Sequence, residues 1–280
     1  MSARGLAARA QDALIAAVGL AALAVVAPWP FRALRAGGAA LGLALSWYRR
    51  RHVDAALARA GIAPEIARRV YRSLATGLLE LLWTIPRAPS GMAARVRLTP
   101  RAEAALAAAG DGAVVATAHS GNWDLVACAV AHRAPLVVVT KRLSNAWLDG
   151  LWMRARARHG VRFVSDGVLA RGLVALRARS LLAVLVDQRP VSRRVVRHDF
   201  LGAPADSDVL PAVLAKRANK RLIVALARRL PSGELEVDVP RVFLRVDDAE
   251  EVTRRVAEEV ERFVRAHPEG WLWTHRRWAA

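Results

Sequence analysis

Ala113-Val114-Val115-Ala116-Thr117-Ala118-His119-Ser120-Gly121-Asn122-Trp123-Asp124 is the stretch whose reading decides the fold. The apolar run Ala113 to Ala118 reads as a buried strand, and Leu125 to Val130 beyond it reads as helix. Ser120 and Asn122 are both helix-capping types, so the turn falls between an imidazole and a carboxylate. On this reading His119 leaves the strand, Asp124 enters the first helical turn, and the two face each other. The positive end of the helix favours the ionised form of Asp124 and suits it to orient the ring. One imidazole nitrogen is then held and the other is free to take a proton from a hydroxyl. The spacing alone is unspecific; the strand-to-helix context gives it weight.

Outward from this segment, short apolar runs alternate with helical stretches. Leu136 to Val139, Val161 to Val164, Leu181 to Val186, Leu222 to Ala227 and Leu235 to Val239 read as strands. Trp147 to Arg158, Val209 to Ala218 and Ala249 to Ala266 read as helices. The alternation predicts an α/β fold with a mostly parallel central sheet flanked by helices. Ligands of such sheets bind beyond the carboxyl ends of the strands, where His119 is placed. Upstream, Arg49 to Trp83 carries apolar residues at helical spacing, with Pro64 and Glu65 opening a second helix. Pro86, Pro89 and Gly91 mark a linker. The expected divisions are residues 1–48, an N-terminal membrane-associated helical segment; 49–91, helical; and 92–280, the α/β domain.

The membrane expectation rests on Ala13 to Phe31, which contains no charged residue. The run is alanine-rich and is broken at Pro28 and Pro30, so it is marginal for the roughly 20 apolar residues that span a bilayer core. An uncleaved anchor, a re-entrant hairpin and an interfacial helix all remain open. Arg4 and Arg9 precede the run, and Arg32, Arg35 and Arg49 to Arg51 follow it, an asymmetry that places the body of the protein on the cytoplasmic side. The formal net charge of +19, carried by arginine far more than by the three lysines, calls for an anionic partner: nucleic acid, anionic lipid or an acidic carrier protein. The arginines of Arg154-Ala155-Arg156-Ala157-Arg158 and Arg193-Arg194-Val195-Val196-Arg197 are either solvated faces or such a surface. The single Cys128 excludes an internal disulfide and a cysteine metal cluster. No glycine-rich nucleotide motif is present, so no cofactor is expected, and no third ligand joins His119 and Asp124 to make a metal site.

Several separated segments together resemble one family, the bacterial lysophospholipid acyltransferases of the lauroyl/myristoyl lipid A type. His119-Ser120-Gly121-Asn122-Trp123-Asp124 is similar to its His-x-Gly-Asn-Trp-Glu box. Thr140-Lys141-Arg142-Leu143-Ser144-Asn145-Ala146-Trp147-Leu148-Asp149 resembles its Arg-Pro-Leu-x-Asn-Pro-x-Leu-Asp segment, and Asp187-Gln188 its Asp-Gln element. Phe200-Leu201-Gly202-Ala203-Pro204-Ala205 and the stretch Pro268 to Trp278 look like two further motifs, Phe-Phe-Gly-x-Pro-Ala and Pro-Glu-x-Tyr-x-Trp-x-His-Arg-Arg-Trp. The sequence departs from the pattern at Asp124, where glutamate is common, at Lys141-Arg142, which replaces Arg-Pro, and in the basic stretch Arg189 to Asp199.

The resemblance implies an inner-membrane enzyme on the cytoplasmic face. It would move a fatty acyl chain from acyl-acyl carrier protein to a hydroxyl of an amphiphilic lipid, a lipid A precursor or a related glycolipid. His119 would be the general base and Asp124 its orienting partner. Lys141 or Arg142 would bind the oxyanion or a phosphate, with Asn145, Asp187 and Gln188 lining the substrate site. Asp187 has a second reading, satisfying backbone donors beyond its strand. Ser120 reads as a cap, because the Gly-x-Ser-x-Gly elbow of a nucleophilic serine is missing. His275 and Arg276 read first as structural closure and second as lipid-phosphate ligands. A hydrolase using the same dyad is the alternative reaction. A membrane-tethered nucleic-acid binder is supported by charge alone, with no binding module, so no nucleic-acid partner is expected.

Overall fold

The computed structural model describes residues 3–190 and 194–278. Arg193 of the second basic run lies outside the described residues, as do the side chains of Arg4 and Arg9. The strand leading to His119, β2 (Ala113–Thr117), lies in the middle of a seven-stranded sheet, and eight other strands are described. These are β1 (Val96–Leu98), β3 (Leu136–Val139), β4 (Val161–Val164), β5 (Leu181–Leu185), β6 (Val195–Phe200), β7 (Ala203–Asp208), β8 (Leu222–Arg229) and β9 (Leu235–Phe243). The main sheet runs β1-β9-β8-β2-β5-β3-β4, and only the β8–β9 pairing is antiparallel. Val114 and Ala116 are fully buried, as expected for a parallel strand covered on both faces.

Helices α6 (Pro100–Ala107) and α7 (Trp123–Ala131) cover one face of this sheet. The other face packs against α9 (Val168–Arg177), α10 (Leu210–Ala218) and α11 (Ala249–Ala266). A further helix, α8 (Ala146–Arg158), connects β3 to β4. The mostly parallel α/β architecture is the one the sequence pattern calls for. Elements it did not call for are β1, α6, α9 and the β6–β7 hairpin. Part of the basic stretch Arg189 to Asp199 is therefore strand from Val195 onward. The hairpin turns at Leu201 and Gly202, both with positive φ (50° and 82°), a two-residue geometry that matches strand twist. A Cβ at Gly202 would collide with the carbonyl oxygen of Arg59, so this turn of the Phe200–Ala205 motif tolerates no side chain there.

The N-terminal elements are α1 (Ala3–Val26), α2 (Ala33–Ala44), α3 (Arg50–Arg59), α4 (Ile66–Thr84) and α5 (Pro89–Ala93). Among the described residues no helix is long and apolar enough to cross a membrane, which withdraws support from the single-anchor reading of Ala13 to Phe31. Helix α2 crosses α4 at close range because Gly38 and Gly42 present no side chain to Thr76 and the backbone of Arg72. Tyr71 Oη donates to Tyr48 O (2.6 Å) and Trp83 Nε1 to Trp29 O (2.9 Å), fastening the α2 region to the body.

Candidate active site

Two residues beyond the paired ends Thr117 and Leu185 of the neighbouring strands β2 and β5 stand His119 and Asp187. Parallel neighbours are separated by about 4.8 Å, so strand order alone brings these side chains together. His119 Nδ1 donates to Asp187 Oδ1 (2.7 Å), and the His119 backbone N–H donates to Asp187 Oδ2 (2.8 Å). Trp271 Nε1 also donates to Oδ2 (2.7 Å). Burial pushes the Asp187 carboxyl upward, but the imidazole charge and these donors outweigh it and hold the group below the usual carboxylate range. An ionised Asp187 can only accept, which fixes the His119 proton on Nδ1 and leaves Nε2 as a lone-pair base.

The carboxylate that grips His119 is thus Asp187 rather than Asp124. Asp124 is buried at the first turn of α7 and forms its ion pair with Arg156 of α8. It also takes a hydrogen bond from Trp152, and burial pushes its carboxyl upward against these partners. Arg156 lies over the Trp152 ring (4.9 Å to the centroid). It therefore does not share a solvated face with Arg154 and Arg158: in a helix, the middle member of an i, i+2, i+4 series points away from the outer two. Arg154 and Arg158 are exposed.

Asn122, not Ser120, caps α7, its Oδ1 accepting from Leu125 N (3.2 Å). Its Nδ2 donates to Glu80 Oε2 (2.9 Å), and Glu80 accepts a two-pronged grip from Arg229 (2.5 and 2.7 Å). Arg229, Glu80 and Asn122 thereby tie β8, α4 and the start of α7 into one buried network. Ser120 is buried with its hydroxyl unpartnered. It forms a backbone bridge with Trp271; Gly121 N donates to Gly270 O (2.9 Å) and Leu272 N to His119 O (3.0 Å). The stretch Pro268 to Trp278 therefore clasps the His119 turn. Gly121, at φ 61°, supplies the left-handed step of that turn.

Gln188 joins the site, its Nε2 lying 2.7 Å from His119 Nε2 and 3.0 Å from His275 Nε2. The segment after β3 takes a different part. Arg142 pairs with Asp149 (2.5 Å), which also accepts from Leu143 N (2.8 Å). Asn145 caps α8 through Leu148 N (2.9 Å) and donates to Asp12 of α1 (2.5 Å). Lys141 is exposed. These three residues sit on the same carboxyl rim of the sheet as His119; Arg142 is held by Asp149, and Asn145 by α8 and α1, rather than by the imidazole.

Next to the His119 turn opens an apolar cavity. It lies between the sheet and helices α6 and α7. Thr117, Ser120 and Trp123 line one end, and Ala105, Leu136 and Val239 lie deeper. Alternate residues of each strand face it, for example Ile223, Ala225 and Ala227, as the two-residue period of a strand requires. Cys128, on α7, is buried, and burial with the nearby Asp124 charge pushes its thiol up to about 12. We expect it to resist Ellman's reagent in the native protein at pH 8 and to react in denaturant; stoichiometric native labelling would contradict this.

Glu80 drew no reading from the sequence, Arg156 was read only as part of a basic run, Trp271 only as part of a motif, and His275 as closure first and a lipid-phosphate ligand second. Their partners are distant in sequence, and no local spacing reports them. Comparison with known proteins adds a family. The model described as "Bacterial lipid A biosynthesis acyltransferase" matches residues 6–280. The phosphatidylinositol mannoside acyltransferases of two Mycobacterium tuberculosis strains, H37Rv and CDC 1551, are each 29% identical over 187 residues. That alignment covers 64% of this chain and 58% of each relative, so the chain spans under three fifths of the length of these relatives.

Proposed function

Because the chain belongs to the bacterial lipid A biosynthesis acyltransferase family, we propose that it transfers a fatty acyl chain from a thioester, acyl-acyl carrier protein, to a hydroxyl of a glycolipid. The observation that carries the reading is the His119–Asp187 pair beside a deep apolar cavity. His119 Nε2 removes the proton of the acceptor hydroxyl while Asp187 stabilises the imidazolium that forms. The hydroxyl oxygen bonds to the thioester carbonyl carbon, giving a tetrahedral oxyanion. Its collapse breaks the C–S bond, and the thiolate leaves with the proton returned by His119. No covalent enzyme intermediate is needed. Asp124, paired with Arg156, anchors the α7 end of the site instead of orienting the base.

The acceptor we favour is a lipid A precursor or a mannosylated phosphatidylinositol, both glycolipids of the kinds the family and its relatives are named for. Mass spectrometry of lipids from a strain lacking the gene should show a glycolipid lighter by one acyl chain, restored by the wild-type gene and not by His119→Ala. An unchanged lipid profile would remove the proposal. Release of free fatty acid with no acylated lipid would instead favour the hydrolase.

The cavity is the acyl site in this reading. Ala225 lies midway along the Ile223–Ala227 row that faces it. Ala225→Phe should shift preference to shorter acyl donors, with discrimination of about 10-fold or more for each methylene that no longer fits. Competition between acyl-acyl carrier proteins of different length measures this; an unchanged length profile would place the chain elsewhere.

Membrane attachment, on the cytoplasmic face of the inner membrane, completes the proposal in its interfacial form. Leu43 and Trp47 are 74% and 76% exposed at the end of α2, next to Tyr48 and the arginines 49–51. An exposed aromatic beside basic residues suits a lipid headgroup region. The double substitution Leu43→Ser and Trp47→Ser should reduce flotation with phosphatidylglycerol-containing vesicles severalfold; wild-type flotation would exclude this element as the contact.

A further inference from the structure

The Gln188 side chain stands in an unusual place relative to the base. Its amide nitrogen is 2.7 Å from His119 Nε2 and only 3.3 Å from Nδ1. A donor on the Nε2 lone-pair axis would be far from Nδ1, on the opposite side of the ring, so this amide lies above the ring face. The in-plane lone pair of Nε2 is therefore left open to an acceptor hydroxyl. One amide hydrogen is directed to His275 Nε2 (3.0 Å), and among the described residues the other meets the imidazole face of His119.

A donor that is weakly satisfied in the resting site and close to the reacting atoms gains most where negative charge develops. The attacking hydroxyl and the amide share Nε2 as a neighbour at hydrogen-bond distance. The carbonyl oxygen of the carbon bonding to that hydroxyl then comes within the amide's reach. We propose that the Gln188 side-chain amide is the oxyanion donor of the transfer reaction and that His275 is the positioning residue that holds it over His119. This rests on the reading of His119 as general base.

The surroundings of His275 agree with this role. Its ring is tilted against that of His119 with centroids 5.3 Å apart, and its backbone carbonyl meets His52 Nε2 (2.9 Å). Burial, followed by the charge of His119, pushes the His275 pKa below the ordinary imidazole value, so at neutral pH its Nε2 is an acceptor. Gln188 itself is anchored through its backbone carbonyl, which accepts from Arg277 (3.3 Å).

The test uses the full chain, acyl-acyl carrier protein as donor and detergent-dispersed phosphatidylinositol mannoside as acceptor, with thermal unfolding as the check on folding. Gln188→Met, which keeps the shape and removes the donor, should lower kcat about 10²- to 10³-fold with little change in KM for the donor. Gln188→Glu, a second variant of the same shape, should do no better. His275→Leu should lower kcat in the wild-type background and have no further effect in Gln188→Met, while His275→Gln, which restores an acceptor, should recover part of the loss. A kcat within twofold of wild type in a folded Gln188→Met protein would overturn the proposal, as would a full additional loss from His275→Leu in that background. If His119→Ala is inactive while Gln188→Met is active, this inference alone fails; if His119→Ala retains turnover, the base assignment fails first.

Discussion

Asp187→Asn is expected to reduce acyl transfer about 10²- to 10⁴-fold while leaving the fold intact. The asparagine keeps the shape of the carboxylate but brings an NH₂ group that can face His119 Nδ1. Nδ1 then becomes the acceptor, the ring proton moves to Nε2, and the nitrogen facing the acceptor hydroxyl no longer has a lone pair. The hydrogen bonds from the His119 backbone and Trp271 converge on the other oxygen, which helps the replacement to seat. Asp124→Asn should be milder in turnover, because Asp124 is engaged by Arg156. Steady-state kinetics of the two variants side by side decide the matter. A crippled Asp124→Asn next to a near-normal Asp187→Asn would return the orienting role to the helix carboxylate.

The second large effect concerns stability. Glu80 is 0% exposed and is held by Arg229 and Asn122. Arg229→Met leaves that carboxylate in the interior with one amide partner and should cost about 3–5 kcal/mol of folding stability. Replacing both members, Glu80→Leu with Arg229→Met, should cost much less, because no charge is stranded. Urea denaturation of both proteins checks the ordering. A single variant as stable as the double would mean that water or another cation reaches Glu80.

The α/β fold and the position of His119 at a strand end were legible in sequence because both are local. The Ala113–Ala118 run, the turn and the apolar helix behind it announce a strand-to-helix corner with His119 at its end. The carboxylate that bonds to His119 was not, for a reason of geometry. Asp124 is close along the chain, but a side chain in the first turn of α7 finds Arg156 of α8 before it finds the imidazole. Asp187 is distant along the chain, yet the Thr117–Leu185 pairing makes it the register neighbour of His119. Strand order carries that information, and alternation of apolar runs does not reveal strand order. The same holds for Glu80 with Arg229, and for Trp271 and His275, whose contacts with Asp187 and Gln188 join residues far apart in the chain. Asn145 was placed in the substrate site on resemblance, and in the structure its side chain caps α8.

The bridge between Ser120 and Trp271 has a consequence for the order of biosynthesis. His119, its carboxylate partner Asp187 and the walls of the greasy cleft all emerge from the ribosome before Trp271 and His275. A nascent chain halted ahead of Pro268 would carry the chemistry-bearing side chains without the strap that fixes their mutual aim. Competence should therefore arrive abruptly, as the Pro268–Trp278 segment docks, rather than accumulate with each added strand.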